Sequence, residues 1–190
     1  MSMVAAPPVS RIVITGSECT GKTTLAEQLA RELATLWVPE FARQYALDVA
    51  RPLGPADVEP IARGQLEAED RALEHLAQLE PRPRVIVLDT DLVSTVVYAH
   101  HYYGGCPQWI VDAAQRRLGD VYLLSEIDVP WTADGVRDRP AARAEIHELF
   151  RQWLSRLGAL VFPVAGLGRE RLAAALDALE RAGLIGSAEA

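Results

Sequence analysis

The chain has 190 residues, 49% of them hydrophobic and 24% charged, with a formal net charge of −7. That length suits one domain with a full core, and the acidic balance excludes a broad nucleic-acid footprint, which needs a basic face. No apolar run reaches the roughly 18 residues of a membrane span, and two cysteines make no disulfide framework, so a reducing, cytoplasmic setting is expected.

Residues 1–10 carry two prolines and no charged side chain, lack the pattern of a signal peptide and read as a short tail. Arg11-Ile12-Val13-Ile14-Thr15 is a short β-branched run, a buried strand by pattern. It leads into Gly16-Ser17-Glu18-Cys19-Thr20-Gly21-Lys22-Thr23, which fits G-x-x-x-x-G-K-[ST], the phosphate-cradling P-loop. Lys22 is the one lysine of the chain, against 18 arginines. A compact ammonium on a flexible stem can fold back on the β- and γ-phosphates as a point charge. A helix is expected over 22–35, opening at Thr24, then a short strand at 36–38 stopped by Pro39, and a helix over 42–50 broken by Arg51-Pro52-Leu53-Gly54-Pro55.

From Ala56 to Leu79 the apolar positions step by threes and fours with one gap at Gln65, which predicts an amphipathic helix. Its acidic residues Glu67, Glu69, Asp70 and Glu74 read as a solvated face. Val85-Ile86-Val87-Leu88 is the strongest buried strand, running into Asp89-Thr90-Asp91 and a helix to about Tyr103. A helix over 107–118, a strand at 121–124, a helix over 142–157 ended by Gly158, a strand at 160–164 and a helix over 170–182 complete the alternation. Strand and helix in turn imply an α/β fold with a mainly parallel five-stranded sheet covered on both faces, one domain over 11–185 and a tail at 186–190.

In such a sheet, ligands collect beyond the carboxyl ends of the strands, where four polar groups fall: 16–23, Glu40 to Arg43, Asp89 to Asp91, and Asp128 to Arg139. Backbone amides of the loop and the following helix N-terminus favour phosphate, and Thr23 would place its hydroxyl on Mg²⁺. Cys19, in a variable loop position, reads as a small filler. Asp89 is placed either to serve Mg²⁺ or to cap the next helix, and Asp91 is the other candidate for that cap. Glu40 is either a solvated carboxylate or the acceptor of a hydroxyl proton, with Arg43 as its partner or a surface arginine. Arg137, Arg139 and Arg143 lie in or just past a polar segment that either is a solvated loop or closes as a lid over about 132–143. His100 and His101 face different directions on a helix and read as its partly buried end. Of the tryptophans, Trp131 is better placed than Trp109 to flank a pocket.

Four stretches coincide in order: Ile14 through Thr24; Val38-Pro39-Glu40-Phe41-Ala42-Arg43; Leu88-Asp89-Thr90-Asp91 with Thr95; and Asp128-Val129-Pro130-Trp131-Thr132-Ala133-Asp134-Gly135-Val136-Arg137. Together they resemble the ribosylnicotinamide kinase domain of NadR-type NAD-biosynthesis proteins. The P-loop is generic, whereas the other three stretches in that order are specific. The resemblance implies a P-loop fold like that of nucleoside-monophosphate kinases. It implies transfer of phosphate from ATP, with Mg²⁺, to the 5′-hydroxyl of nicotinamide riboside. Gly16 to Thr24 and Arg139 would bind ATP, with Lys22 and Thr23 handling phosphate and Mg²⁺. Glu40, Arg43, Asp89, Asp91, Thr95, Tyr98 and Trp131 would face the acceptor or the metal, and Arg137 would be the lid arginine.

No stretch reads as the nucleotidylyltransferase or DNA-binding parts of fused relatives, so the kinase is expected to stand alone. The expected partners are ATP and a small hydroxylated substrate, with no nucleic acid and no membrane; a homo-oligomer is compatible with the composition. The alternatives are a kinase of another nucleoside or metabolite alcohol, and a nucleotide-dependent regulatory ATPase. A guanine-nucleotide switch is disfavoured because its N-K-x-D motif needs an asparagine and the chain has none.

Overall fold

The computed structural model describes residues 9–81, 83–129 and 142–186. Five strands form one sheet: β1 (Ser10–Thr15), β2 (Trp37–Val38), β3 (Val85–Asp89), β4 (Val121–Ser125) and β5 (Val161–Val164). All pairings are parallel, in the order β2-β3-β1-β4-β5. The helices are α1 (Lys22–Glu32), α2 (Phe41–Val49), α3 (Val58–Leu76), α4 (Leu92–Tyr103), α5 (Gln108–Arg116), α6 (Arg143–Leu157) and α7 (Arg169–Arg181), with a 3-10 turn at Pro55–Asp57 leading into α3. Expected element types and order hold, and boundaries move by a few residues. No described helix is long and apolar enough to cross a membrane.

The period of two along each central strand sorts side chains onto two faces. Val13, Ile86, Leu88, Tyr122 and Leu124 pack under α3, α4, α5 and α6. Ile12, Ile14, Val85, Val87, Val121 and Leu123 pack under α1 and α7. The central strand β1 pairs Ile14 with Asp89 on one side and Thr15 with Leu124 on the other. The loop after β1 therefore opens beside the carboxyl ends of β3 and β4.

Two expectations for α3 are corrected. Gln65 is no gap in the buried stripe, being 3% exposed, and Glu69 is 1% exposed rather than solvated. Polar groups arriving from other elements explain both. The Glu69 carboxylate takes hydrogen bonds from the guanidinium of Arg11, on β1, and from Arg117 at 3.5 Å, beyond α5. The Gln65 amide donates to Glu69 at 3.2 Å, and its oxygen accepts the backbone N–H of Phe41 at 3.1 Å. The Phe41 ring lies where any side chain at Gly64 would stand: a Cβ there would come 2.0 Å from Cε1 of the ring. Hence α3 fixes the start of α2 by one hydrogen bond and one close contact.

Burial pushes Glu69 up to about 7, helped by the nearby Asp91 carboxyl and opposed by Arg11, Gln65 and Arg117. The folded chain therefore holds more protons than the unfolded chain between Glu69's ordinary value of 4.5 and about 7, and stability falls as pH rises through that window. Urea denaturation at pH 5 and pH 7.5 should show that fall, and Glu69→Gln should remove roughly 1–3 kcal/mol of it.

Candidate active site

The loop between β1 and α1 needs two backbone conformations that L-residues avoid. Gly16 has φ 128° and Gly21 has φ 76°. A Cβ on Gly16 would also stand 3.0 Å from the Ser125 carbonyl at the end of β4, so the loop sits against the sheet edge. Cys19 adopts φ 54° and leaves its side chain half-buried. Inside the turn, the Lys22 ammonium donates to the Ser17 carbonyl at 2.7 Å and the Thr20 hydroxyl donates to the same oxygen at 2.9 Å. Lys22 is buried, while Thr24 is exposed at the start of α1. A curled loop with an ammonium over it and a helix N-terminus behind it suits a polyanion.

Thr23, in the first turn of α1, donates its hydroxyl to Asp89 Oδ2 at 2.6 Å. Asp89 is 1% exposed, and its Oδ1 has no hydrogen-bond partner among the described residues. Burial raises its carboxyl above the ordinary carboxylate range, against the Thr23 hydroxyl and the Lys22 charge. Glu40 raises it further and Arg43 lowers it, so both stand within electrostatic reach. Glu40 is buried at the N-terminus of α2, with Arg43 Nε 3.9 Å from its Oε2, so the reading of Glu40 as a solvated carboxylate does not hold. The structure thus brings Lys22, Thr23, Asp89, Glu40 and Arg43 to one edge of the sheet. Thr23 and the unpartnered Asp89 oxygen are hard donors of the kind Mg²⁺ uses while keeping waters and phosphate oxygens. No group of three or more His, Cys, Asp or Glu side chains able to hold a metal occurs among the described residues.

Asp91, two residues on, goes elsewhere. Thr90 between them adopts φ 69°, an outlier for a β-branched residue. The turn breaks the strand's alternation, so the two aspartates diverge. Asp91 caps α4 by accepting the Val93 N–H at 2.9 Å, and takes the Tyr122 hydroxyl at 2.5 Å on its other oxygen. With both oxygens occupied inside the core, Asp91 takes the helix-cap role, one of the two expected for it. Thr95 and Tyr98 are half-buried on the same helix, and the Tyr98 hydroxyl donates to Glu18 Oε2 at 3.0 Å. His100 packs against the Trp153 ring at 4.9 Å and His101 approaches Glu145 at 3.4 Å, the contacts of a helix end. Trp109 lies under the Arg63 guanidinium, 4.7 Å away. Trp131, Arg137 and Arg139, with most of the expected lid, lie outside the described residues.

Two arginines hold the loop by its carbonyls. Arg143, expected with the lid, donates to the Cys19 carbonyl at 3.0 Å and the Val129 carbonyl at 2.9 Å. Arg171, in the first turn of α7, was not a sequence candidate. It is 4% exposed and donates to the Thr20 carbonyl, to the Gly166 carbonyl at 2.8 Å and to the Asp128 carboxylate. Asp128 sits below its ordinary carboxylate value: partial burial works the other way, but the Gly166 amide and Arg171 outweigh it. Nothing local marks Arg171, which occupies a polar position of an ordinary amphipathic helix.

Comparison with known proteins identifies the family and the fold. The trifunctional NAD biosynthesis/regulator protein NadR of Salmonella typhimurium (strain LT2) is 27% identical over 154 residues, 76% of this chain and 36% of that protein. The chain thus spans about a third of its relative's length. A crystal structure of NadR protein in complex with NR superposes with a TM-score of 0.76 at 24% identity, covering 95% of this chain and 53% of that one. Thymidylate kinase from Ehrlichia chaffeensis superposes at 0.66 with 14% identity, covering 92% and 99%. The fold is that of the P-loop kinases. A family model for the AAA domain matches residues 11–171, so the chain belongs to that family, as a P-loop member homologous to NadR.

Proposed function

We propose that the chain is an ATP-dependent small-molecule kinase that phosphorylates the 5′-hydroxyl of nicotinamide riboside, giving nicotinamide mononucleotide. The observation that carries this reading is the placement of a phosphate-suited loop beside two buried carboxylates, Asp89 and Glu40. One side suits a triphosphate and the other an alcohol. The relatives support the choice of alcohol, since NadR has been solved with NR, which we read as nicotinamide riboside.

Phosphoryl transfer asks little covalent chemistry of a protein; positioning and charge neutralisation do most of the work. Lys22 and the loop amides would hold the β- and γ-phosphates. Thr23 and Asp89 would hold the Mg²⁺ that arrives with ATP, and the ion would supply neutralisation of phosphate charge. Glu40 would accept the proton of the attacking hydroxyl, with Arg43 orienting its carboxylate. Arg137 and Arg139 are the proposed lid guanidinium groups, Arg139 toward ATP, with Trp131, Thr95 and Tyr98 on the acceptor side.

A coupled assay with ATP and a panel of nucleosides should show nicotinamide riboside turned over fastest. ATP hydrolysis needing no acceptor would overturn the reading in favour of a regulatory ATPase. Asp89→Asn should lower kcat by about 100-fold or more while the fold is kept, because it removes a charged oxygen ligand without changing volume. Gln65→Leu should lower kcat more than it raises KM for ATP, by roughly tenfold, since it frees the Phe41 N–H that seats Glu40 and touches no phosphate group.

A further inference from the structure

Glu18 occupies the third position of the phosphate loop, one the motif leaves open. A carboxylate facing a triphosphate would oppose the ammonium and amides that attract it. The structure turns it away. Glu18 is 2% exposed, and its Oε2 accepts the Tyr98 hydroxyl, on the helix that follows Asp89. Tyr98 is itself fixed, stacked on Tyr102 at 6.0 Å and edge-on to Phe150 at 5.9 Å. Glu18 Oε1 is buried with no hydrogen-bond partner among the described residues. A buried carboxylate oxygen without a donor is costly and uncommon. At a catalytic loop such an acceptor is the counterpart of a donor brought by a ligand. Glu18, Glu40 and Asp89, at 2%, 7% and 1% exposed, also make this side acidic, which disfavours an acceptor that already carries phosphate.

We infer that Glu18 is a specificity-determining residue, whose unpartnered oxygen takes a hydrogen bond from a secondary hydroxyl of a polyhydroxylated, non-anionic acceptor. The subsite rests on the kinase reading, and assigns to it a chemical class: a glycoside whose sugar carries a hydroxyl beyond the one phosphorylated. Tyr98 is then a positioning residue that holds Oε2 so that Oε1 is presented.

The test compares kcat/KM for nicotinamide riboside and its 2′-deoxy and 3′-deoxy forms in the wild type, Glu18→Ala, Glu18→Gln and Tyr98→Phe. The wild type should prefer the riboside over one of the two deoxy forms by roughly 10- to 100-fold. Glu18→Ala should bring that ratio to within about threefold, mostly through KM for the riboside. Glu18→Gln, which keeps an acceptor oxygen and the side-chain volume, should retain part of the preference, as should Tyr98→Phe. An unchanged ratio in Glu18→Ala and Glu18→Gln, with riboside and deoxy forms losing activity equally, would overturn the inference and leave Glu18 a tether for α4. So would equal use of all three acceptors by the wild type. Should nicotinamide riboside fail while another riboside is phosphorylated, only the proposed substrate falls and the comparison runs on that riboside; no turnover of any riboside overturns both.

Discussion

The hydrogen bond from Thr23 to Asp89, 2.6 Å long, joins the first helix to the third strand across the carboxyl edge of the sheet. It exists because β1 lies between β3 and β4, with Ile14 in register with Asp89. A sheet wound in chain order would place those two groups strands apart. The crossover brings the start of α1 and the end of β3 together, and every other part of the candidate site is arranged around that pair. Asp89 stays buried beside the Thr23 hydroxyl, with one oxygen unspent among the described residues. Such an arrangement is tolerable in isolation and favourable once a cation or a donor arrives.

Arginine does the holding. Arg11 binds Glu69 and the Arg117 carbonyl, Arg143 binds the Cys19 and Val129 carbonyls, and Arg171 binds Thr20, Gly166 and Asp128. A planar fork can satisfy several acceptors in fixed directions, which a lysine ammonium does less well. Two of these forks donate to carbonyls of the phosphate loop, those of Cys19 and Thr20. They fix the loop's shape through its acceptors and leave its amide donors untouched. The lone ammonium remains for the position where a mobile point charge is useful.

Much of this was legible in the sequence because its signals are local. The strand pattern, the glycine loop and the helix after it are read from adjacent residues, and the hydrophobic stretches gave the element order. The failures are all non-local. Gln65 and Glu69 looked like a gap and a solvated acid because periodicity counts polarity along one helix, and their partners come from β1, α2 and the residue after α5. Asp91 matched a site motif, yet the strained turn at Thr90 directs it into the core to meet Tyr122. Arg171 carried no signal, since its acceptors lie far away in the chain. The lid read from glycine and arginines falls on residues 130–141, outside those described.

The chain's single lysine is also the one curled over the Ser17 carbonyl and 7% exposed. Its surface therefore offers no side-chain amine besides a shielded one in the nucleotide cradle. Amine-directed chemistry such as acylation or reductive alkylation finds one side-chain target, and reaching it requires the cradle to loosen. The extent of such labelling becomes a direct gauge of how tightly that cradle is shut.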